Sequence, residues 1–532
     1  MDADPVDVLV VGAGPTGLAL AAHLVANGVR PLVIDRAMHR VHESRALAIQ
    51  PRTLEVLAPL GVSGRLVELG NRAVQMNVHA GHLELSIPLF DLGLADTAYP
   101  YLLFLSQAET ERILAEHLGR HGVHVERGVE LVRLEQSPEG VRAWLRGRDD
   151  TDTTVAARYV VGCDGAHSTV RAAAGIDFVG GSYPQNFVLV DAEADGIDTG
   201  AAHVFLAERG MLFFFPLGRP ASWRLLAMRP TGGDGRAPTD VTLEDVQTLV
   251  DRYTDGKVRL HDPLWITNFR LHHRAATQYR SGRVFVAGDA AHIHSPAGAQ
   301  GMNTGIQDAV NLAWKLASAT RGTAHPALLD TYDHERAPVG RNVLRFTDRA
   351  FTIATTDNAA VRFARRRVAP PAMRLVTTFR PGRRYAFRTI AQLAISYGHS
   401  KLSVNGHGVS RRGGPRAGDR LPDGAIHQTG RESTVHQLVS EPGWHLLDFG
   451  TPTETLPPVG WPGVTTHRLG AGGDRDADVT VGTTMMRRLG LAPGKGALIL
   501  VRPDGHIGYR SNGDDRVGLA RYLGEWLGGT TR

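Results

Sequence analysis

Apolar and polar positions follow changing periods along this chain, and the changes mark its elements. A continuous apolar run, Val8 to Val11, has the length and composition of a buried strand. A helical pattern succeeds it, with Leu18, Ala21, Ala22 and Val25 recurring at three- and four-residue steps. A second apolar run, Leu32 to Ile34, ends at Asp35. The order predicted is strand, loop, helix, strand. Further on, the pattern predicts a helix over Thr53 to Leu60, irregular strand-like chain over 76–100, a helix over Ser106 to His121 and strands over Val123 to Leu134. Residues 183–230 alternate as strands, including Phe187 to Val190 and Met211 to Phe215. Gly282 to Asp289 reads as a buried strand ending at a loop, Asn303 to Ala317 as an amphipathic helix, and 350–400 as mostly helical and basic.

The composition then shifts. Asn405 to Asp423 is rich in Gly, Arg and Pro and reads as a linker. Beyond it come a strand (Trp444 to Phe449), a hairpin (Ala497 to Val501 and His506 to Arg510 around Pro503-Asp504-Gly505) and a closing helix (Val517 to Trp526), enough for a compact third domain.

At 532 residues the chain has room for two to four domains. No apolar run approaches the ~20 residues that span a bilayer, and no basic-then-apolar leader precedes the first strand, so a cytoplasmic protein with no membrane partner is expected. The single cysteine, Cys163, excludes an internal disulfide, a CxxC redox pair and a cysteine-rich zinc site, and with them the disulfide reductases. No metal site is expected. The net charge is +5, carried mostly by arginine. The densest basic stretch, Arg362 to Arg388, lacks interleaved aromatic residues and reads as a solvated helix face, with no nucleic-acid partner expected.

Candidate chemistry begins at the first loop, where Gly12, Gly14 and Gly17 have the spacing G-x-G-x-x-G between strand and helix. Gly12 permits the tight turn, Gly14 lets the backbone approach a pyrophosphate, and Gly17 lets helix and strand pack closely. The helix N-terminus then offers unpaired N–H groups to phosphate. Asp35 stands where an acid binds ribose hydroxyls, which favours FAD or NAD over NADP. Two further motifs lie downstream: YVVGCDGAHSTVR, Tyr159 to Arg171, and GRVFVAGDAAHIHSPAGAQGMNTGIQDAVNLAWKLA, Gly282 to Ala317. In the second, a buried strand delivers Asp289 at its C-terminal end, where α/β sheets bind ligands.

Together the three motifs resemble the group A FAD-dependent aromatic monooxygenases, the p-hydroxybenzoate hydroxylase-like family, over most of residues 1 to about 350. The segments PGWHLLDFG and LVRPDGHIGYRS resemble the C-terminal thioredoxin-like domain of the phenol hydroxylase and aromatic polyketide hydroxylase branch, here without redox cysteines. The fold implied is α/β: a Rossmann-like FAD-binding domain (1–75, 101–180, 268–350), an interleaved β-sheet substrate domain (76–100, 181–267), a helical connector (351–404), the linker (405–423) and the thioredoxin-like domain (424–532). Carried over by motif, Gly12, Gly14, Pro15, Thr16 and Gly17 hold the FAD pyrophosphate, and Asp35 with Arg36 the adenosine ribose. Arg45 and Gln107 match positions contacting the phosphate and ribityl region, and Val132 lies where adenine packs. Asp289 meets the ribityl chain, and Gly301, Met302 and Asn303 present backbone N–H groups to the pyrimidine edge. Asp164 and Arg171 are implied to touch FAD and NAD(P)H.

The activity implied is insertion of one oxygen atom from O2 into a phenolic or polycyclic aromatic, polyketide-type substrate through a C4a-hydroperoxyflavin, with NADPH or NADH as a transient co-substrate; a homodimer is a further expectation. The same motifs admit Baeyer–Villiger oxidation or epoxidation, or a flavin-binding partner without turnover. Two residues are catalytic candidates. Pro296 offers its carbonyl to the hydroperoxide, or is a turn residue; Arg52 orients an oxygenated substrate or stabilises an anion, or is a surface residue. Phe213 and Phe215 share a strand face and are the substrate-binding candidates, with core packing as the alternative. His292 and His294 flank the flavin loop without metal-ligand partners.

Overall fold

The computed structural model describes residues 5–39, 46, 48–72, 75–80, 83–88, 94–206, 210–217, 221–229, 241–295, 299–355, 380–410, 413–428, 431–450, 461, 463–471, 477–492 and 495–528. Three sheets organise them. The first is parallel at its centre, in the order Val284–Val286, Asp152–Gly162, Val6–Val11, Leu32–Asp35, Val125–Arg127. Its strands are near-continuous Val, Leu and Ile because helices cover both faces. Register aligns the strand ends: Val286, Gly162, Val11 and Ile34 pair in one row across four strands. The chain therefore leaves all four C-terminal ends at one edge, and the three motifs and Asp35 converge there.

The buried helix Gly301–Thr320 packs against Pro15–Ala26 behind that edge. It starts two residues before the expected Asn303, so Gly301 and Met302 belong to its first turn. The expected strand Gly282 to Asp289 is shorter, Val284–Val286, and ends in a 3-10 turn over Gly288–Ala290. A helix at Ser63–Leu69 succeeds the expected one at Pro51–Leu57.

The second sheet is mostly antiparallel and runs Arg259–Ala276, Phe178–Asp195, Trp223–Arg229, Met211–Pro216, Ala201–Leu206, Gln75–Ala80, Leu83–Pro88. The helix Leu243–Thr254, opened by a Thr242/Asp245 capping box, covers one face over Val188, Val190, Leu212, Phe214 and Trp223.

In the third sheet, Val464–Ala471 lies parallel to Trp444–Phe449, and Ala497–Val501 and Ile507–Asn512 add on antiparallel. With the closing helix Arg516–Trp526 this is a thioredoxin-like core. The expected linker is not an open one. Val404–Asn405 pairs with the strand Ile507–Asn512, Ala417 and Leu421 enter the domain core, and Arg420 is 2% exposed at its side chain, ion-paired to Glu55 and Asp96. Gly408, Gly414 and Gly418 take left-handed turns and Arg420 closes two buried ion pairs, so composition misled. Of the segment 350–400, the helices Asp330–Thr355 and Arg380–Ile390 cover 350–355 and 380–390, whereas 391–400 is turns rather than helix; Arg362 to Arg367 lie outside the described residues. Among the described residues no helix is long and apolar enough to cross a membrane.

Candidate functional site

At the first loop the glycines differ in what surrounds them. Gly12 has φ +100°, and a Cβ there would lie 2.4 Å from the Cys163 carbonyl oxygen. A Cβ on Gly17 would lie 1.9 Å from the Gly12 oxygen. Gly14 meets nothing within 4 Å. Two glycines are thus required by the protein itself, while Gly14 faces open space at the N-terminus of the Pro15–Ala26 helix, the place a pyrophosphate would occupy. Thr16 turns its hydroxyl inward: a Cβ on Gly288 or Gly305 would meet it at 2.4 Å, so its side chain locks the two helices together. Asp35 accepts from the N–H groups of Ala13 (2.7 Å) and Ala37 (2.8 Å), which ties the second strand to the loop. Arg36 beside it is exposed.

Val132 stands 43% exposed on the strand Glu130–Gln136. The residue set against Asp35 is Val129, whose N–H donates to the Asp35 carbonyl (3.1 Å). Arg45 and Pro296 lie outside the described residues. The neighbour of Arg45 is nonetheless firmly held: Gln107 brackets Ala46 with its Oε1 (3.2 Å) and N–H (3.3 Å), and Arg224 donates to the Ala46 carbonyl (3.1 Å).

Asp164 accepts from the Ser168 hydroxyl and from the Val170 N–H (3.1 Å), and so caps the short helix Thr169–Ala173. Burial raises its carboxyl above the usual range. Arg171 donates to the Ala290 carbonyl (2.9 Å) and lies 3.8 Å from the Phe178 ring centroid. Arg171 thereby joins the second motif to the turn that carries Asp289, which is exposed at the sheet edge.

That turn is also held from behind. Asp308, fully buried, accepts from the Gly288 N–H (3.1 Å), His292 Nε2 (2.7 Å) and Arg336 Nε (2.7 Å). Burial opposes its charge, but Arg336 and His292 hold its pKa below the usual carboxylate range. Arg336 donates further to the Thr304 carbonyl (3.0 Å). Motif reasoning misses Asp308, although Asp308, Asn311 and Lys315 put polar groups on one stripe of an otherwise apolar helix, the available signal. The His294 ring lies against Gly301, and burial lowers its pKa to about 4, leaving it neutral at neutral pH.

In the Gly301 helix the first backbone bond runs from Thr304 N–H to Gln300 O (2.8 Å). The N–H groups of Gly301, Met302 and Asn303 precede it, and so stand at the open helix end. The Asn303 side chain staples this turn in place: Oδ1 accepts from Gln50 N–H, and Nδ2 donates to the Ala48 and Ala299 carbonyls, each at 2.8 Å.

Arg52 is neither a surface residue nor available to a substrate. It is 4% exposed, and it donates to Glu55 (3.2 Å) and to the Asp504 carbonyl of the third domain (2.7 Å). Pro51 starts its helix beneath that domain, which turns Arg52 into a buried chain of charges running through Glu55 and Arg420 to Asp96.

Phe213 and Phe215 stack with ring centroids 5.6 Å apart, both half-buried, while Phe214 points into the helix-covered core. Phe215 packs with Ala48, Ala299 and Phe104 beside the flavin loop, and Phe213 with Tyr183, Phe187 and Leu226. Across the sheet from Phe215 comes a row missed in the sequence: Arg224, Asp191 and Trp265. Arg224 and Asp191 form a buried two-point ion pair, and Trp265 Nε1 donates to Asp191 (2.9 Å). Among the described residues no group of three or more His, Cys, Asp or Glu forms a metal-ligand set.

This arrangement fits FAD. An open Gly14, an exposed acid at Asp289 and the first amides of a helix sit along one sheet edge, opposite an aromatic wall. Comparison with known proteins points the same way. An FAD binding domain family model matches residues 5–347, and an aromatic-ring hydroxylase C-terminal model matches residues 414–530. The chain is 38% identical over 525 residues to 6-methylpretetramide 4-monooxygenase of Streptomyces rimosus, covering 95% of this chain and 91% of that protein. Among solved structures it resembles a ternary complex of aklavinone-11 hydroxylase with FAD and aklavinone (TM-score 0.79, 26% identity, 99% of this chain and 100% of that one). It also resembles the Diels-Alderase PyrE3 of pyrroindomycin biosynthesis (TM-score 0.73, 27% identity, 98% and 100%).

Proposed function

The chain belongs to the FAD-dependent aromatic-ring hydroxylases, and on that premise we propose that it hydroxylates a phenolic ring of a polycyclic, polyketide-type aromatic compound, using NAD(P)H as reductant. The balance is substrate C–H plus O2, NAD(P)H and a proton to substrate C–OH, water and NAD(P)+. One observation carries the substrate class: the stacked, half-buried Phe213 and Phe215, backed by the buried Phe187 and Phe104, form an aromatic wall beside Ala299 of the flavin loop. Such a wall suits several fused rings.

FAD, when bound, supplies the activation of O2 and the transfer of one of its atoms. The protein binds, orients and excludes water. Gly14, Pro15 and the first amides of the Pro15–Ala26 helix take the pyrophosphate, Asp35 the adenosine ribose and Asp289 the ribityl chain. The N–H groups of Gly301, Met302 and Asn303 favour negative charge at the pyrimidine edge by roughly 0.3–1 kcal/mol, about 2 where water is excluded. Gln107 and Arg224 fix Ala46. Arg171 braces the Asp289 turn through the Ala290 carbonyl, and Asp164 braces the loop of its own motif, both beside the edge where FAD and NAD(P)H would meet them.

Incubation with anthracyclinone- or tetracycline-type polyketides, phenols and naphthoquinones under 18O2 tests the reading. The expected result is NAD(P)H consumption accelerated by a polycyclic phenol, with one labelled hydroxyl in the product. A labelled lactone would assign Baeyer–Villiger chemistry instead. NAD(P)H oxidation indifferent to every aromatic compound would overturn hydroxylation and assign a flavin-binding partner without turnover.

A further inference from the structure

We propose that Gln392, in the segment joining the central domains to the third, is a positioning residue that aims the amide end of the Gly301 helix at the flavin; the inference rests on FAD binding, not on the identity of the substrate. Gln392 is 3% exposed and has φ +59°, the left-handed region that a non-glycine residue enters only under constraint. A second such residue, Ala299 at φ +52°, lies at the start of the same turn. The two are linked by Gln300.

The hydrogen bonds explain why strain is tolerated here. The Gln392 carboxamide accepts from Gln307 Nε2 and donates to Gln300 Oε1 and to Thr304 Oγ1, the last at 3.0 Å. Thr304 in turn donates its hydroxyl to the Gln300 carbonyl (2.9 Å), which also receives the Thr304 N–H (2.8 Å). Gln300 Nε2 donates to the Ile390 carbonyl (3.0 Å). Gln300 is therefore held at both ends of its side chain and at its carbonyl, with Gln392 and Ile390 supplying the side-chain partners. A linked chain of this kind polarises along its length.

The consequence reaches the ligand through peptide planarity. The Gln300 carbonyl and the Gly301 N–H belong to one rigid trans peptide and point in opposite directions. Fixing the carbonyl into the helix fixes the Gly301 N–H outward, at the open helix end where the pyrimidine edge would lie. Gln392 touches neither flavin nor substrate; it acts by setting that peptide.

Three variants separate the side chain from its backbone. Gln392→Gly keeps the left-handed conformation and deletes the clamp. Gln392→Ala deletes the clamp and keeps the strain. Gln392→Glu retains an acceptor for Gln307 but replaces two donor bonds with negative charge. The readouts are FAD dissociation constant on the apoprotein, visible spectrum and two-electron potential of bound flavin, and apoprotein Tm. The expected result for Gln392→Gly is an FAD affinity reduced roughly tenfold, the scale of about one lost buried hydrogen bond, and a more negative flavin potential. Apoprotein Tm falls as well, because Gln300, Gln307 and Thr304 lose a buried partner, so the flavin potential is the readout that a merely structural role would not move. Gln392→Glu lowers the potential further. A Gln392→Gly protein with parental affinity, spectrum and potential would overturn the proposal. Should the Gln392 variants not fold, Thr304→Val breaks the same chain at its next link, and a parental flavin potential in that variant would overturn it equally.

Discussion

The middle sheet presents two faces built from the same strands, and they are opposites. Beneath the Leu243–Thr254 helix, Val188, Val190, Leu212, Phe214, Trp223 and Leu225 form a dry apolar layer. One residue out of phase along the same strands, Leu189, Asp191, Phe213, Phe215, Arg224 and Trp265 form the other face, where aromatic rings stay half-buried and a buried ion pair crosses the row. The period of two assigns each side chain to its face. What differs is the neighbour. A helix closes one face completely, whereas the other is turned toward Ala46, Ala48 and Ala299, the backbone around the flavin site. Stability is concentrated on the first face, and the proposed function assigns substrate recognition to the second. Alternate residues on one strand should therefore respond differently to the same truncation.

The largest effect is expected at Arg224, which belongs to both categories. Arg224→Ala leaves Asp191 buried without its cation, a cost of about 3–5 kcal/mol, and removes the tie to the Ala46 carbonyl. Denaturant unfolding measures the first part. The double variant Arg224→Met, Asp191→Leu removes both charges and should recover most of the stability while leaving FAD affinity impaired, because the tie to Ala46 stays lost. Recovery of both would show that the pair holds the sheet alone.

Close behind, Phe214→Ala opens a cavity in the closed face and should cost about 3–5 kcal/mol. Its remaining folded enzyme should keep the parental KM for whichever aromatic substrate the screen identifies. Phe215→Ala, one residue on, should reverse the pattern: about 1–2 kcal/mol in stability for a half-buried ring, and a KM raised roughly tenfold. Equal KM changes for the two would erase the distinction between the faces.

How much of the molecule is legible in its sequence depends on the same division between local and distant causes. The first loop is legible because Gly12 and Gly17 answer to backbone a few residues away and to one neighbouring strand. Strand ends at Asp35, Gly162 and Val286 are marked by apolar runs that stop. Arg224, Asp191 and Gln392 carry no signal. Their partners lie 33 to 178 residues away for Arg224, and at Gln300, Thr304 and Gln307 for Gln392, and no motif surrounds them. Arg52 fails in the opposite sense: an arginine near a flavin motif suggests chemistry, but a third-domain turn 452 residues later claims its side chain. The stretch 405–423 has the composition of a linker, yet Arg420 is buried against charges that only the folded domains bring within reach.

The smallest effect concerns a titrating group that borders the closed face. His203 lies opposite Phe214, 5% exposed, with its ring 6.0 Å from Trp223. Its Nε2 lies 2.9 Å from the Asp198 carbonyl and its Nδ1 3.2 Å from His79 Nε2, so a neutral ring donates at the first and accepts at the second. Burial lowers its pKa below the usual histidine value; the Asp198 carbonyl opposes the shift and His79 adds to it. The unfolded chain consequently binds the proton more readily than the folded one. The stability His203 contributes is complete above the unfolded value of about 6.5 and is lost as pH falls through that value toward the folded one. His203→Phe should flatten the dependence of unfolding free energy on pH over that window and leave the curve above pH ~7 parallel to that of the parent. An unchanged acid limb would mean that the ring accepts its proton in place, with His79 turning to compensate, and that the closed face is wetter at this end than the packing of Phe214 and Trp223 implies.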